Sequence, residues 1–577
     1  MKNPLSLLAC FIICMALVFF RINNSDLTAG HKPLKITEWD AFGYYMYLPA
    51  FCIYDDHKQL KWLDTIDKKY GVTGGNGWQA LKQDNGNYVF KYLGGVALLQ
   101  LPFFAAGHFV AQHSHYPPDG FSPPYQYALG FGIIFYSLLA LLLLRKILLR
   151  YYDDKVTAIT LLLLCLASNY IQYAAVDSGQ SHAYLFVLYA AILYTTIRWH
   201  EKPSLLFATL TGYVIGLATM TRPTEAIMLF IPLMWNTHTR EAAAAKWAIV
   251  KSNRSHLIGA IAGGVLGILP QLLYWKNTTG SFLFDVGSKW DFLSPHFRVL
   301  FGWEKGWFIY TPVTLLFVAG MFFIKKFPFR KSVLWFCLLN IYIIIGWHEW
   351  RYGGSYSTRA LVQSYAVFAL PLAAVTDKLL QQRFRALFIA AGLYLIAVNF
   401  FQIGQYNATI LHYDDMNRRY YGAIYLNSNP TPADMGLLDN DEVVKNESDY
   451  SSTVLFGCDT AQEISFSAGG SGTIAEVQLH QIPYAETIMK VEATVLAPGH
   501  LWQSYLHTEM TMKDSVKRNR VRLFSPISKD TAANSYTSYM AMPIKADNGT
   551  IRVFISSSSD FRGTVKSLRV SLLRQQH

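Results

Sequence analysis

Two groups of residues in this chain have the types and spacing that chemistry needs. The first is Glu38-Trp39-Asp40-Ala41-Phe42-Gly43-Tyr44-Tyr45, where two carboxylates stand beside an aromatic run just after an apolar segment. A carboxylate held near a membrane interface can take a proton from an attacking hydroxyl; the plainer reading is an amphipathic turn in which Asp40 caps a helix. The second is Trp347-His348-Glu349-Trp350-Arg351-Tyr352-Gly353-Gly354-Ser355-Tyr356-Ser357-Thr358-Arg359. Its glycines permit close backbone approach, its guanidinium groups suit phosphate, and its aromatic faces suit sugar rings. A structural ion-pair loop would need the same residue types.

Two single cations join them. Lys91, in Lys91-Tyr92-Leu93-Gly94-Gly95, precedes an apolar run, where an ammonium can hold a lipid phosphate or simply snorkel. Arg222, in Thr221-Arg222-Pro223-Thr224-Glu225, lies in a tight turn between apolar segments. A charge at that depth costs about 2.5–3.5 kcal/mol on insertion scales, so it needs a ligand or a partner such as Glu225.

The elements that must position these groups are membrane spans. Of 577 residues, 52% are hydrophobic and 15% charged, against about 25% charged in a soluble domain. Apolar runs at 4–20, 124–144, 156–176, 182–199, 204–221, 223–237, 256–275, 307–324, 332–348, 360–376 and 386–404 predict about eleven transmembrane helices. The net charge of +12 collects in five clusters: Arg145/Lys146/Arg150/Lys155, Arg198/Lys202, Arg240/Lys246/Lys251/Arg254, Lys325/Lys326/Arg330/Lys331 and Lys378/Arg383/Arg385. Two spans separate each cluster from the next, so the positive-inside rule makes them cytoplasmic and argues against nucleic acid as a partner. An inside N-terminus then requires that 94–112, with Pro102 and Gly107, be a re-entrant or interfacial helix.

The same bias places outside the membrane a first loop at 21–93, a second at 276–306 and everything after 404. Residues 405–449 read as a linker. From about Tyr450 the chain alternates apolar and polar residues at Glu463–Ser467, Thr473–Leu479, Met489–Val495 and Ile551–Ser556, which predicts a β-sandwich over 450–577. Four of the six cysteines, Cys10, Cys14, Cys165 and Cys337, lie in apolar runs, which excludes a disulfide framework. Asp439-Asn440-Asp441 reads as a solvated turn and Asp153-Asp154 as a helix cap. The Asn-x-Ser/Thr triplets at Asn23, Asn277, Asn407, Asn446 and Asn548 matter only in a host that glycosylates them.

Taken together, residues 1–404 resemble the GT-C superfamily of integral-membrane glycosyltransferases, the group of protein O-mannosyltransferases and lipid A aminoarabinose transferases. The resemblance is carried by the acidic first loop (Glu38, Asp40, Gly43-Tyr44-Tyr45), Lys91 before the 94–112 helix and the Gly216-Leu217-Ala218 to Thr221-Arg222-Pro223 break. Gly302-Trp303-Glu304-Lys305-Gly306-Trp307 and Trp347 to Arg359 also resemble loops of bacterial members of unassigned specificity. It implies an inverting transferase in the bacterial cytoplasmic membrane, using a sugar on a polyprenyl phosphate at the outer face and a lipid, glycan or protein acceptor. Asp40 would correspond to the family's first-loop carboxylate, with Glu38 second. Lys91, Arg222, His348, Glu349, Arg351, Arg359, Tyr44 and Tyr45 would bind the lipid phosphate and sugar. No organic cofactor is implied; members differ in metal use, so a divalent ion stays open.

The sequence departs from the family in two places: Trp39 splits the first-loop acids, and the Lys91 motif lacks the proline of the lipid A enzymes, whose substrate is therefore not carried over. The tail resembles carbohydrate-binding sandwiches attached to some members, with a plain packing module as the alternative. Two other activities share the membrane geometry. One is a ligase or polymerase of lipid-linked oligosaccharides working through His348, Arg351 and Arg359; the other is a lipid or sugar transporter that makes no bond.

Overall fold

The computed structural model describes residues 3–24, 34–75, 77–442, 444, 446–479, 487–497, 503–513, 515–524, 533–542 and 549–576. Part of the first loop (25–33 and Asn76) and Asn548, the first residue of the last triplet, lie outside the described residues. The chain divides into two compact units, Met1–Phe400 and Phe401–His577.

The first unit is a bundle of apolar helices of a multi-pass membrane protein. Among the described residues six helices are long and apolar enough to cross a membrane: Pro4–Asn23, Gly95–Gln112, Pro123–Leu148, Arg254–Thr279, Arg359–Leu380 and Arg385–Asn407. The sequence reading counted about eleven spans, and several of the others are short or broken. The 223–237 segment is a 3-10 turn, Pro223–Leu229, followed by the short helix Phe230–Met234. The 307–324 segment holds only the helices Trp307–Tyr310 and Thr314–Gly320, with Pro312 between them. Gly95–Gln112 is as long and apolar as a span, so its reading as a non-crossing helix rests on charge bias alone.

Local chemistry fixes the ends of the helices. Asp153 accepts from the Val156 amide and caps helix Asp154–Leu166. Asp154 serves a different helix: its carboxylate accepts from the amides of Leu5 (2.8 Å) and Ser6 (2.9 Å), the open first turn of Pro4–Asn23. The adjacent acids thus cap two helices rather than one. Helices Leu205–Thr221 and Arg254–Thr279 meet through small residues. A Cβ on Gly212 would stand 1.8 Å from the Ala260 carbonyl oxygen, and one on Gly216 would stand 2.2 Å from that of Gly264. Such contact lets backbones pack where lipid supplies no hydrophobic drive.

The first loop folds over its own apolar core. Phe42, Tyr45, Met46, Val89 and Phe90 are buried together with Trp62, Phe121 and Tyr274. A small hairpin, β1 (Ala80–Lys82) and β2 (Tyr88–Phe90), pairs Ala80 with Phe90 and sets the direction in which residues 91–94 enter the next helix.

The second unit is a β-sandwich. One sheet runs β3 (Tyr450–Cys458), β11 (Phe561–Gln575), β6 (Thr487–Leu496), β9 (Asn534–Ala541), with β4 (Gln462–Phe466) also on β11. The other runs β5 (Ser471–Leu479), β10 (Gly549–Ser557), β7 (Ser504–Met512), β8 (Ser515–Arg522). Inward residues of both sheets, among them Met489, Val491, Leu506, Ile551 and Val570, form one core, the period-two pattern read from sequence. Residues 405–449 contain the helices Arg418–Ile424 and Pro432–Gly436 and bind the sheets through side chains. Asp439 lies in no solvated turn: its side chain is 5% exposed and takes the Arg522 guanidinium at 2.7–3.0 Å.

Candidate functional site

Asp40 stands in the first turn of helix Trp39–Tyr45. Trp39 opens that helix with a left-handed φ of 52° while its amide donates to the Val72 carbonyl at 3.0 Å, so the entry to Asp40 is fixed by residues more than thirty positions away. Each Asp40 oxygen then meets a different segment. The Tyr92 hydroxyl donates to Oδ1 at 2.8 Å, and Arg359 Nη2 donates to Oδ2 at 2.5 Å. The Asp40 side chain is 22% exposed and that of Arg359 11%, so the pair is sheltered yet reachable.

Gly43 makes this geometry feasible. A Cβ there would fall 2.2 Å from the Tyr92 ring, so Tyr92 can lie against this helix only because residue 43 has no side chain. Tyr44 packs its ring 4.5 Å from that of Tyr92. Burial first, and for Tyr92 the neighbouring Asp40 charge next, push both phenols above their ordinary value, which keeps Tyr92 a donor.

Arg359 begins the 3-10 turn Arg359–Ser364 at the head of the following helix. Its second nitrogen, Nη1, donates to Gln180 Oε1 at 2.8 Å. The Gln180 loop follows a π-helical turn, Gln172–Val176, a backbone irregularity common at functional positions. A Cβ on Gly179 would stand 2.2 Å from the Ile36 carbonyl oxygen, so this loop backs directly onto the strand of chain leading to Asp40.

Arg222 joins the same group. The ionised groups near it are Glu225 and Arg359. Glu225, its candidate partner, instead accepts from the Tyr189 hydroxyl and from Gln363 Nε2. The Arg222 side chain has no hydrogen-bond or ion-pair partner among the described residues. A half-buried guanidinium left in this state, beside a second one on Arg359, is suited to an anion.

The other sequence candidates lie elsewhere or serve other partners. Glu38 pairs with Lys35 at 2.6 Å. The Lys91 ammonium sits over the Trp78 ring at 5.0 Å, next in sequence to Tyr92. Tyr45 is fully buried, and its hydroxyl donates to the Gly120 carbonyl. The loop 347–359 divides in two. Its last residue, Arg359, reaches Asp40, and Gly353, which with Tyr352 takes a left-handed φ (64° and 56°), lies against the Arg359 guanidinium. Its first residues turn toward another group: His348 Nδ1 is 2.9 Å from Asp291, whose carboxyl His348 and His296 hold below the usual range. Arg351 lies over the Trp350 ring at 5.4 Å, and Glu349 is exposed.

Neither Tyr92 nor Gln180 has a spacing in the sequence that marks it as part of a site. Asp40 and Arg359 are 319 positions apart. Among the described residues no group of three or more His, Cys, Asp or Glu side chains gathers as metal ligands would.

No protein-family profile matches the chain, and no curated protein matches it. Solved structures similar to it include the archaeal oligosaccharyltransferase AglB from Archaeoglobus fulgidus in complex with an inhibitory peptide and a dolichol-phosphate. That match has 16% identity and a TM-score of 0.40 and covers 76% of this chain and 61% of that one. ArnT from Cupriavidus metallidurans bound to undecaprenyl phosphate matches at 12% identity and a TM-score of 0.43, over 72% of this chain and 68% of that one. Arabinosyltransferase EmbB from Mycobacterium smegmatis matches at 10% identity and a TM-score of 0.29, over 98% and 64%. The chain thus spans about three fifths of the length of the archaeal enzyme.

Proposed function

We propose that this chain is a GT-C-type glycosyltransferase of the bacterial cytoplasmic membrane, moving a sugar from a polyprenyl phosphate to an acceptor hydroxyl at the outer face. The observation that carries the reading is the 2.5 Å pairing of Asp40 with Arg359, with Arg222 unpaired beside them. A base and two anion-binding groups then share one sheltered place, at loops that charge bias puts outside.

Asp40 acts as the base. A carboxylate has about four lone-pair positions, so Oδ1 and Oδ2 can each accept once more while held by Tyr92 and Arg359. The acceptor hydroxyl gives its proton to Asp40 as its oxygen attacks the anomeric carbon. The bond from that carbon to the phosphate oxygen breaks on the opposite face, which inverts the configuration. The leaving polyprenyl phosphate gains negative charge, and Arg222 and Arg359 stabilise it, with Lys91 at the entrance; such fixed charges act most where they need not reorganise. Tyr44 bounds the sugar. In this reading residues 1–404 are the transferase, 405–449 joins it to 450–577, and that sandwich is periplasmic.

The test is purified protein in proteoliposomes given polyprenyl-phosphate hexose or pentose labelled in the sugar, with cell-envelope extract as acceptor. Transfer of label with release of polyprenyl phosphate supports the reading. Movement of intact labelled lipid across the bilayer, with no cleavage, would mean a transporter.

A further inference from the structure

The helix ends opposite the Asp40 cluster enclose a second cavity, of about 310 Å³. Ligand pockets run from about 300 to 1,000 Å³. Gln180 and Arg222 stand at one end of helices Ser181–Glu201 and Leu205–Thr221; the cavity lies at the other, where Arg254–Thr279 begins. Gly212, on its wall, is about 15 Å along the helix from Arg222. The short helices Phe230–Met234 and Arg240–Ser252 close it. Ala208, Ile215, Leu233, Val250 and Ala260 make its walls apolar. At its rim Leu257 and Ile261 are exposed on Arg254–Thr279, a helix long and apolar enough to cross a membrane, so the cavity opens sideways to lipid.

One charge sits in this apolar space without a counter-ion. Lys246 is 4% exposed, and its ammonium donates to the Pro232 and Leu233 carbonyls at 2.7 and 2.5 Å. An ammonium carries three donors, so one remains. Among the described residues no carboxylate pairs with it, and no Asp or Glu lines the cavity. A buried charge in that state calls for an anion. Two histidines of the same lining are half satisfied. His200 Nδ1 donates to the Thr196 carbonyl at 2.8 Å, which leaves Nε2 an acceptor, buried and without a partner. His256 Nδ1 accepts from Trp199 Nε1 at 3.3 Å, which leaves its Nε2 a donor. On the two helices that carry Lys246 and His256, Arg240, Lys251 and Arg254 are exposed and outnumber Glu241.

We infer that this cavity binds an anionic phospholipid, with one acyl chain between the helices and the phosphodiester on Lys246. The phosphodiester accepts from the third Lys246 N–H and from His256 Nε2. A headgroup hydroxyl, such as that of phosphatidylglycerol, donates to His200 Nε2, so each open group of the lining is met. The exposed Arg240, Lys251 and Arg254 draw an acidic lipid to the mouth, as basic segments at a membrane surface do. A zwitterionic lipid such as phosphatidylethanolamine would instead bring its own ammonium beside Lys246. The occupant comes from the leaflet around these helix ends, which charge bias expects to be the cytoplasmic one. This binding stands independently of the transfer reaction.

The test is native mass spectrometry of the full-length protein released from nanodiscs of phosphatidylglycerol and phosphatidylethanolamine in equal amounts, reading which lipid stays bound. Preferential retention of phosphatidylglycerol is expected. Lys246→Met, which removes the charge, should weaken it at least about tenfold, the loss of one charge-assisted hydrogen bond. Ile215→Trp, which fills the space for the chain, should do the same and keeps the test open should Lys246→Met not fold. Arg222→Gln, at the opposite helix ends, should leave retention unchanged, which separates this site from the one that holds the donor phosphate. Equal retention of the two lipids, wild-type retention in either folded cavity variant, loss in Arg222→Gln, or displacement by inorganic phosphate alone would each overturn the inference.

Discussion

At the residue scale, Asp40 depends on two residues that do no chemistry. Gly43→Ala places a methyl where the Tyr92 ring lies, 2.2 Å from its Cδ2, so the ring must leave and Asp40 loses its Oδ1 donor. The expected result is folded protein whose sugar transfer falls by about a hundredfold, the cost of roughly 1 Å of misplacement. Near-wild-type transfer would show that Tyr92 does not orient the carboxylate. Arg359→Lys is also far from conservative. A guanidinium reaches Asp40 and Gln180 at once, at 2.5 and 2.8 Å, and an ammonium cannot present that fork. Transfer should drop by about tenfold or more while the protein stays folded, as judged by its elution from size exclusion.

At the element scale, the site rests on helices whose packing leaves no room for growth. Gly212→Val puts branched carbon into the Ala260 carbonyl, already 1.8 Å from an added Cβ. Overpacking of this kind costs about 1–3 kcal/mol or more. Because Arg222 directly follows helix Leu205–Thr221, a lowered melting temperature should be joined by weaker binding of polyprenyl phosphate. Destabilisation with unchanged lipid affinity would separate this helix pair from the site. The sequence made this element level partly legible. Alternation in 463–467 and 489–495 marked strands because a sandwich has one dry face and one wet one, and apolar runs marked spans because lipid demands them. Breaks at Pro312 and at Pro223 were harder to read, since a hydrophobic run looks the same whether its backbone is one helix or two short ones.

At the scale of the whole molecule, the account depends on sidedness, and the chain's own cysteines report on it. Cys52 is exposed in the first loop and Cys458 is half-buried in the sandwich, whereas Cys165 and Cys337 are buried among helices. In intact bacteria made permeable only at the outer membrane, a membrane-impermeant maleimide should label Cys52 and Cys458 and spare Cys165 and Cys337. Labelling of Cys52 only after the inner membrane is opened would invert the topology. Charge bias gives an expectation of sidedness from the sequence because it is a property of whole loops, and the labelling tests that expectation. The meeting of Asp40 with Arg359 was not derivable from spacing, since a pair 319 residues apart is set by how the bundle closes. The resemblance supplied both ends of that pair. Gln180 escaped because a lone glutamine in a helix connection carries no signal until its neighbour is seen, and the loop 347–359 was read as one site although its two ends face different groups.

The most direct measurement compares Asp40→Asn with the wild type in single-turnover transfer from a labelled polyprenyl-phosphate sugar, with donor binding measured on the same preparation. Asparagine keeps the size and the acceptor oxygen but cannot take the proton. The account predicts that donor still binds while transfer falls by about 10²–10⁴-fold, the contribution of a positioned base. Transfer at the wild-type rate, with donor bound, would contradict it.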